Sequence, residues 1–421
     1  MPKSLSSAIA DISDSPGTRA TALFEACDLL AKSATTPQYD EHSENVSMLI
    51  ALHLKSDEDD IIRLAADMAS ASETPGTLSV LMSRVEALAE TALVRAEDSG
   101  EPVEGFLFAV PVVLTDLSKL KGGKIQRNEH FRQLVQELQD CAVVGEGQTV
   151  FVENYLYSAA ELKSLSWSET WHMAKALLRK RDREATPEEA HADLFQKGQA
   201  LAGSQPAEES LPALRFLVGI VSNESGAQPP FSAPDEDDEL EEWRGILQDW
   251  QEVAIPLLEA ALGSHFKGEN AVIAGIGGYF DALREGQISV RQLHVRLQVA
   301  QIEGATGEKA ADLRALVAAY VDEESGEQEV VAAIASKNSP DMAGVITCPV
   351  LDFECDHVAV EDVADTLANA GLADIGVVDR VLPMNRCEDC GERLLLLPLE
   401  GNGQVGLGHA GNKGGRGTWL H

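Results

Sequence analysis

Apolar and polar positions divide the chain into a helical start and a longer mixed remainder. Between residues 20 and 95, apolar side chains recur at the three-to-four spacing of helices. Residues 20–31 carry Ala22, Leu23, Ala26, Cys27, Leu29 and Leu30, and stretches 48–55, 57–68 and 78–95 keep the same period. Thr74-Pro-Gly-Thr77 interrupts it, with Thr77 placed to cap the next helix. No fixed repeat length links these segments, so residues 1–98 read as a helical layer rather than a solenoid.

Past residue 98 the pattern changes. Residues 105–114 (Gly-Phe-Leu-Phe-Ala-Val-Pro-Val-Val-Leu) are apolar on both faces, as a central buried strand requires. Pro111 removes one ladder donor and predicts an edge, a bulge or a strand end there. A helix over 129–142 and a strand over 149–157 follow. The same order recurs as strand 214–221, helix 240–262 and a strand from residue 270, and again as strand 344–351, helix 360–370 and strand 375–382. Cys348-Pro-Val-Leu351 echoes Val110-Pro-Val-Val113. Residues 148–162 and 270–283 both give an apolar strand, an aromatic step and a small-residue helix start.

The pattern therefore predicts an α+β protein. An N-terminal helical layer precedes three related strand–helix–strand units within 99–182, 213–303 and 304–399. Residues 183–212 form a linker with a helix, and 400–421 a flexible glycine-rich tail. Ser166 and Glu169 have capping-box spacing at the start of a helix carrying Trp167 and Trp171. In the 240–262 helix, Trp243, Ile246, Leu247, Trp250 and Val253 are expected to face inward, and Pro256 to kink or divide it. Residues 222–238 read as a long polar loop and 288–302 as a helix. Residues 313–321 and 329–335 form a hairpin across Glu323-Glu-Ser-Gly326, or the first of them is helical.

Charge narrows the function. Lys and Arg total 33 against 69 Asp and Glu, a net charge of −36. Such a field repels phosphate backbones and anionic membranes, which argues against broad nucleic-acid or membrane binding. The one dense basic run, Arg179-Lys-Arg-Asp-Arg183, ends a helix, where cations suit the macrodipole. The first residues lack an apolar signal core, and no apolar run reaches the roughly 18 residues of a membrane helix. A cytoplasmic location is the expectation, and the 6 cysteines are few enough for reduced thiols.

The chain contains no H-E-x-x-H and no G-x-S-x-G. Its best chemical candidate is Cys387-Glu-Asp-Cys390-Gly391, because a C-x-x-C turn can place two thiolates on one metal. A structural zinc needs about two more donors. Cys355 and His357 are the candidates, or His409 from the tail. A redox dithiol and two unligated thiols are the other readings of the same pair. Gly275-Ile-Gly-Gly278 sits between a strand and a helix start, as a phosphate loop would, but Phe280 occupies the third glycine position of the dinucleotide fingerprint. A tight turn is the simpler reading. Asp235-Glu-Asp-Asp-Glu-Leu-Glu-Glu242 lacks EF-hand spacing and reads as a solvated acidic helix start.

Three stretches together resemble an uncharacterised bacterial family known as a domain of unknown function. They are the Phe108-Ala-Val-Pro segment leading to Tyr155-Leu-Tyr157, the segment from Tyr279-Phe280 to Arg291, and Cys387-Glu-Asp-Cys-Gly391. The resemblance spans residues 40–400 and implies a bacterial cytosolic α+β protein, with no activity to transfer. The functional expectation is a non-catalytic interaction or adaptor protein whose partner is another protein, carrying a candidate structural zinc. The alternative is an enzyme or small-ligand sensor with a pocket at the strand ends, near residues 275–279 or beside Cys387 and Cys390.

Overall fold

The computed structural model describes residues 15–33, 38–95, 102–114, 123–141, 148–183, 213–224, 237–262, 271–273, 275–322, 325–337, 342–389, 393–398 and 405–409. They fall into two compact units, Met1–Glu285 and Gly286–His421. Expectations for 184–212 and 225–236 lie outside the described residues.

The first unit begins with helices α1 (Pro16–Lys32), α2 (Tyr39–Lys55), α3 (Asp59–Ser70) and α4 (Thr77–Glu90). Strands β1 (Thr91–Arg95) and β2 (Pro102–Leu114) follow, then α5 (Glu129–Asp140), β3 (Thr149–Ser158), α6 (Ala159–Lys163) and α7 (Trp167–Arg183). The unit closes with β4 (Ala213–Glu224), α8 (Asp237–Leu262), β5 (Ala271–Ile273), β6 (Gly277–Gly278) and the start of α9 (Tyr279–Thr306).

The helical layer forms through Glu90, but residues 91–95, expected to continue its last helix, form the strand β1 because β2 offers them an antiparallel partner. Leu23, Cys27 and Leu30 of α1 pack with Ile50 and Leu54 of α2, Ile62 of α3, and Leu81 and Val85 of α4, with Trp167 and Trp171 against them. Ser15 caps α1 by accepting from the Thr18 N–H. Helix α4 is entered differently from the expectation. Gly76, at φ 85°, is its cap residue and Thr77 lies inside the first turn.

The sheet has the order β1-β2-β4-β3, with β5 and β6 also on β2. Strand β4 pairs with β2 along its whole length, so β1, β6 and β5 share the other side of β2 in succession. Strand β2 continues through Pro111, which stands opposite Phe216 of β4, so the strand end that its missing donor could have marked does not fall there. Alternate β2 residues feed different cores. Phe108, Val110, Val112 and Leu114 pack under α5 and α8. Leu107 and Ala109 join Leu177, Leu178 and Tyr279 on the opposite face. Opposite Phe108, Gly219 leaves room for the ring, which a Cβ would meet at 2.4 Å.

Helix α8 runs through Pro256 as one element, with that residue on its exposed side, where a backbone carbonyl left without its donor is open to solvent. Its buried stripe is Trp250, Ala254, Leu258 and Ala261, and Val253 is exposed rather than inward. Trp243 and Leu247 have side chains outside the described set.

In the second unit, α9 beyond Glu285 leads to β7 (Leu313–Val321), β8 (Gln328–Ser336) and β9 (Met342–Pro349). Then come α10 (Asp356–Asn369), β10 (Asp374–Val377), β11 (Leu382–Pro383), β12 (Leu394–Pro398) and β13 (Val405–His409). The β7–β8 hairpin closes with Val321 opposite Gln328, with Gly326 at φ 74°. Strands β10 and β11 pair parallel to β7 on its other side. Leu313, Ala315, Val317 and Ala319 face α9 and α10, while Ala318 and Tyr320 face Leu395 of β12. Residues 405–409, expected in the flexible tail, pair with β12 because the Leu394–Leu397 run offers them an apolar strand.

The fold is α+β. The three-unit repeat is not established. The first two units interlock, with β2 and β4 as central partners, whereas β9, α10 and β10 belong to a separate sheet.

Candidate functional site

The C-x-x-C segment lies between two chain portions that meet. An antiparallel bridge joins Arg386 to Arg393, and the Leu394 N–H donates to the Asn385 carbonyl at 2.9 Å. Leu394 also faces His409 across the β12–β13 pair. Cys387 is half-buried; Cys390 and Gly391 lie outside the described residues. Cys355 is the exposed cap residue of α10, and His357 in its first turn is exposed beside Glu361 at 3.3 Å. Among the described residues, no three His, Cys, Asp or Glu side chains are gathered to hold a metal ion. The bridge suits a two-thiolate turn. Cys387, Cys355 and His357 are not drawn into one such group.

The glycine turn before α9 has a filled anion position. The Glu90 carboxylate accepts from the Phe280 N–H at 2.7 Å, at the point where a helix N-terminus offers free donors to an anion. A Cβ on Gly278 would lie 2.9 Å from Glu90 Oε2, so the glycine lets the turn reach the carboxylate. Burial pushes the Glu90 carboxyl up to about 8, against the Phe280 hydrogen bond. Asp281 and Glu86 push the same way. Arg284, which binds both Glu86 and Asp281, pulls the Glu90 carboxyl the other way, but least of these groups. Next to this turn Tyr279 is fully buried and its hydroxyl donates to the Leu162 carbonyl at 3.4 Å. The residues 275–279 form a structural joint whose first helical donor is already used.

Among the described residues, a different surface lies uncovered on α2 and α7. The turn joining α2 to α3 supplies three consecutive carboxylates with three separate tasks. Asp57, at φ 56°, pairs with His172 of α7 at 2.8 Å. Glu58 accepts from Arg19 of α1 at 2.7 Å and lies 2.9 Å from buried His53. Asp59 accepts from the Ser168 N–H at the start of α7 at 3.0 Å. Ser166 and Glu169 complete the expected capping box, with Glu169 accepting from the Ser166 N–H at 2.8 Å and Ser166 Oγ from the Glu169 N–H at 3.2 Å. These contacts fix α7 against α2.

Helix α2 buries Val46, Ile50, His53 and Leu54, which leaves Met48 and Leu52 on the outer side at 39% and 38% exposure. They are four residues apart and form one short apolar stripe. Lys55, three residues past Leu52, continues it. On α7, the Lys175 ammonium lies 3.6 Å over the Trp171 ring. Desolvation, then the like charges of Arg179 and Lys55, lower its pKa. Sequence periodicity had placed 48–55 in a helix but did not separate its two stripes. The signal was present, since residues 46, 50, 53 and 54 and residues 48, 52 and 55 each keep helical spacing.

A family model described as "Protein of unknown function (DUF2863)" matches residues 11–409, and the chain belongs to that family. No curated protein and no solved structure matches it. Among the described residues no helix is long and apolar enough to cross a membrane.

Proposed function

We propose that this member of the family is a non-catalytic, cytoplasmic interaction or adaptor protein that binds another protein through the outer face of α2. One observation carries the reading: Met48 and Leu52 stand exposed in helical register on an element whose core face is already complete. Exposed apolar side chains in one stripe, rimmed by charge, are what a helix-in-groove or helix-on-helix partner needs. In support, carboxylates clustered at helix ends serve internal contacts. Glu90 caps α9, and Asp57, Glu58 and Asp59 tie three helices together.

A structural zinc is the second part of the reading. Cys387 and Cys390 would supply two thiolates, with Cys355 and His357, or His409, as the remaining donors. The Arg386–Arg393 bridge and the Leu394–His409 pair favour His409, whose strand adjoins the base of the turn.

The interaction reading is tested in the organism that encodes the protein. A photo-crosslinking residue placed at position 48 is expected to give one dominant protein adduct, and the same residue at exposed Val253 is expected to give none. Identical adducts at both positions, or no adduct at position 48, would sink it.

A further inference from the structure

Lys55, Lys175 and Arg179 give this surface a cationic side. The protein carries a net charge of −36, with 69 acidic residues available to neutralise 33 basic ones. Arg19, Arg132, Arg284, Arg291 and Arg393 each hold a carboxylate. Lys55, Lys175 and Arg179 form no ion pair with any described residue, and Lys175 feels the like charges of the other two. Gathering like charges costs free energy unless something opposite offsets it. Lys55 and Arg179 lie near the C-terminal ends of their helices, where the dipole favours cations. Lys175 is in the middle of α7, so the dipole does not account for it. Its stem instead lies on Trp171, which holds the ammonium in place.

This patch continues the apolar stripe. Met48, Leu52 and Lys55 follow one line along α2, and the Asp57–His172 pair at 2.8 Å holds the end of that line beside α7, where Lys175 feels the like charge of Lys55. The surface therefore has an apolar half and a cationic half. We propose that it binds an acidic amphipathic helical segment of a partner protein. Its apolar side chains would lie on Met48 and Leu52, and its carboxylates would face Lys55, Lys175 and Arg179. Successive turns of such a helix place carboxylates about 5–6 Å apart, the spacing of the α7 cations. A nucleic-acid strand fits less well. Its charge would extend past the patch into the repulsive field of the rest of the protein, whereas a short acidic segment ends with it. His172 beside the patch is engaged by Asp57 and adds no free charge.

This inference rests on the interaction reading above and has its own test. A display library of 18-residue amphipathic helices with randomised polar positions is selected on the immobilised full chain. The expected winners are acidic. Binding of a labelled winner is expected to weaken about tenfold in the triple variant K55E/K175E/R179E and in 0.5 M salt, and to be lost in M48D/L52D. Circular dichroism confirms that each variant is folded, and K55A/K175A/R179A, which adds no new charge, is expected to weaken binding in the same direction. Neutral or basic winners that still need Met48 and Leu52 would overturn the acidic-partner inference and leave the interaction reading standing. No enrichment would overturn both. Tighter binding of a 15-nucleotide single-stranded RNA than of any peptide would overturn the peptide partner in favour of nucleic acid.

Discussion

The carboxylate of Glu90, the last residue of α4, accepts a hydrogen bond from the backbone N–H of Phe280 at 2.7 Å. The two residues are far apart in sequence, and the bond fastens the start of α9 to the helical layer. Glu90 sits at a helix C-terminus, which disfavours negative charge, and at a helix N-terminus, which favours it. Burial decides the balance and pushes its carboxyl up to about 8.

Stability should therefore depend on pH through Glu90. The folded pKa is raised, so the contribution is fully present below the ordinary carboxylate range and is lost as pH rises through about 8. Urea unfolding at pH 6 and pH 9.5 should show wild type losing on the order of 1–3 kcal/mol more than Glu90→Gln over that interval. Equal losses would show that Glu90 is not the group responsible.

Gly278→Ala should destabilise the first unit by about 1–2 kcal/mol, since the new Cβ would crowd Glu90 Oε2 at 2.9 Å. The crowding belongs to the pair. Combined with Glu90→Ala, the Gly278→Ala change should cost markedly less, giving a coupling energy above about 0.5 kcal/mol in a double-mutant cycle. Strict additivity would argue against the contact.

In the second unit, buried Arg291 binds both oxygens of Glu354 and also Asp362, while Gln292 donates to Asp362 at 2.7 Å. Arg291→Met should cost about 3–5 kcal/mol, because it strands two carboxylates. Converting Glu354 and Asp362 to leucine in the same chain should recover part of the loss. Thermal melting of the three proteins measures this, and a melting temperature unchanged by Arg291→Met would refute it.

Thiol reactivity separates the cysteines. Burial pushes Cys27 and Cys348 up to about 12, so both should resist a thiol reagent at pH 8 until the protein unfolds. Exposed Cys355 should react at once. Zinc bound by Cys387 and Cys390 would slow those two as well and release them on chelation. Elemental analysis of protein never exposed to chelator should then find about one equivalent, falling in C387S/C390S. Less than about a tenth of an equivalent in wild type would exclude the metal.

Much of the fold could be read from local pattern. The double-faced apolar run of β2 marked a central strand, and the Ser166–Glu169 box lies within one turn of chain. The same local reading failed where a partner elsewhere decided the outcome. Val253 keeps the helical period of α8 yet is exposed, because the core stripe runs through Ala254 and Leu258. Residues 405–409 look like a glycine-rich tail until β12 supplies a ladder. The candidate surface was half visible. Met48, Leu52 and Lys55 keep one helical spacing, but only packing shows which of the two α2 stripes is buried.

The sequence by itself determined the α+β class, most helices and strands, the acidity and the cysteine pair, since each depends on composition or on neighbours within a turn or a strand. Tertiary structure alone decided that β2 pairs with β4, that Glu90 accepts from the first turn of α9, and that the end of α2 lies beside α7. Those contacts join residues scores of positions apart. Their geometry is set by how apolar faces pack together, which no local spacing encodes.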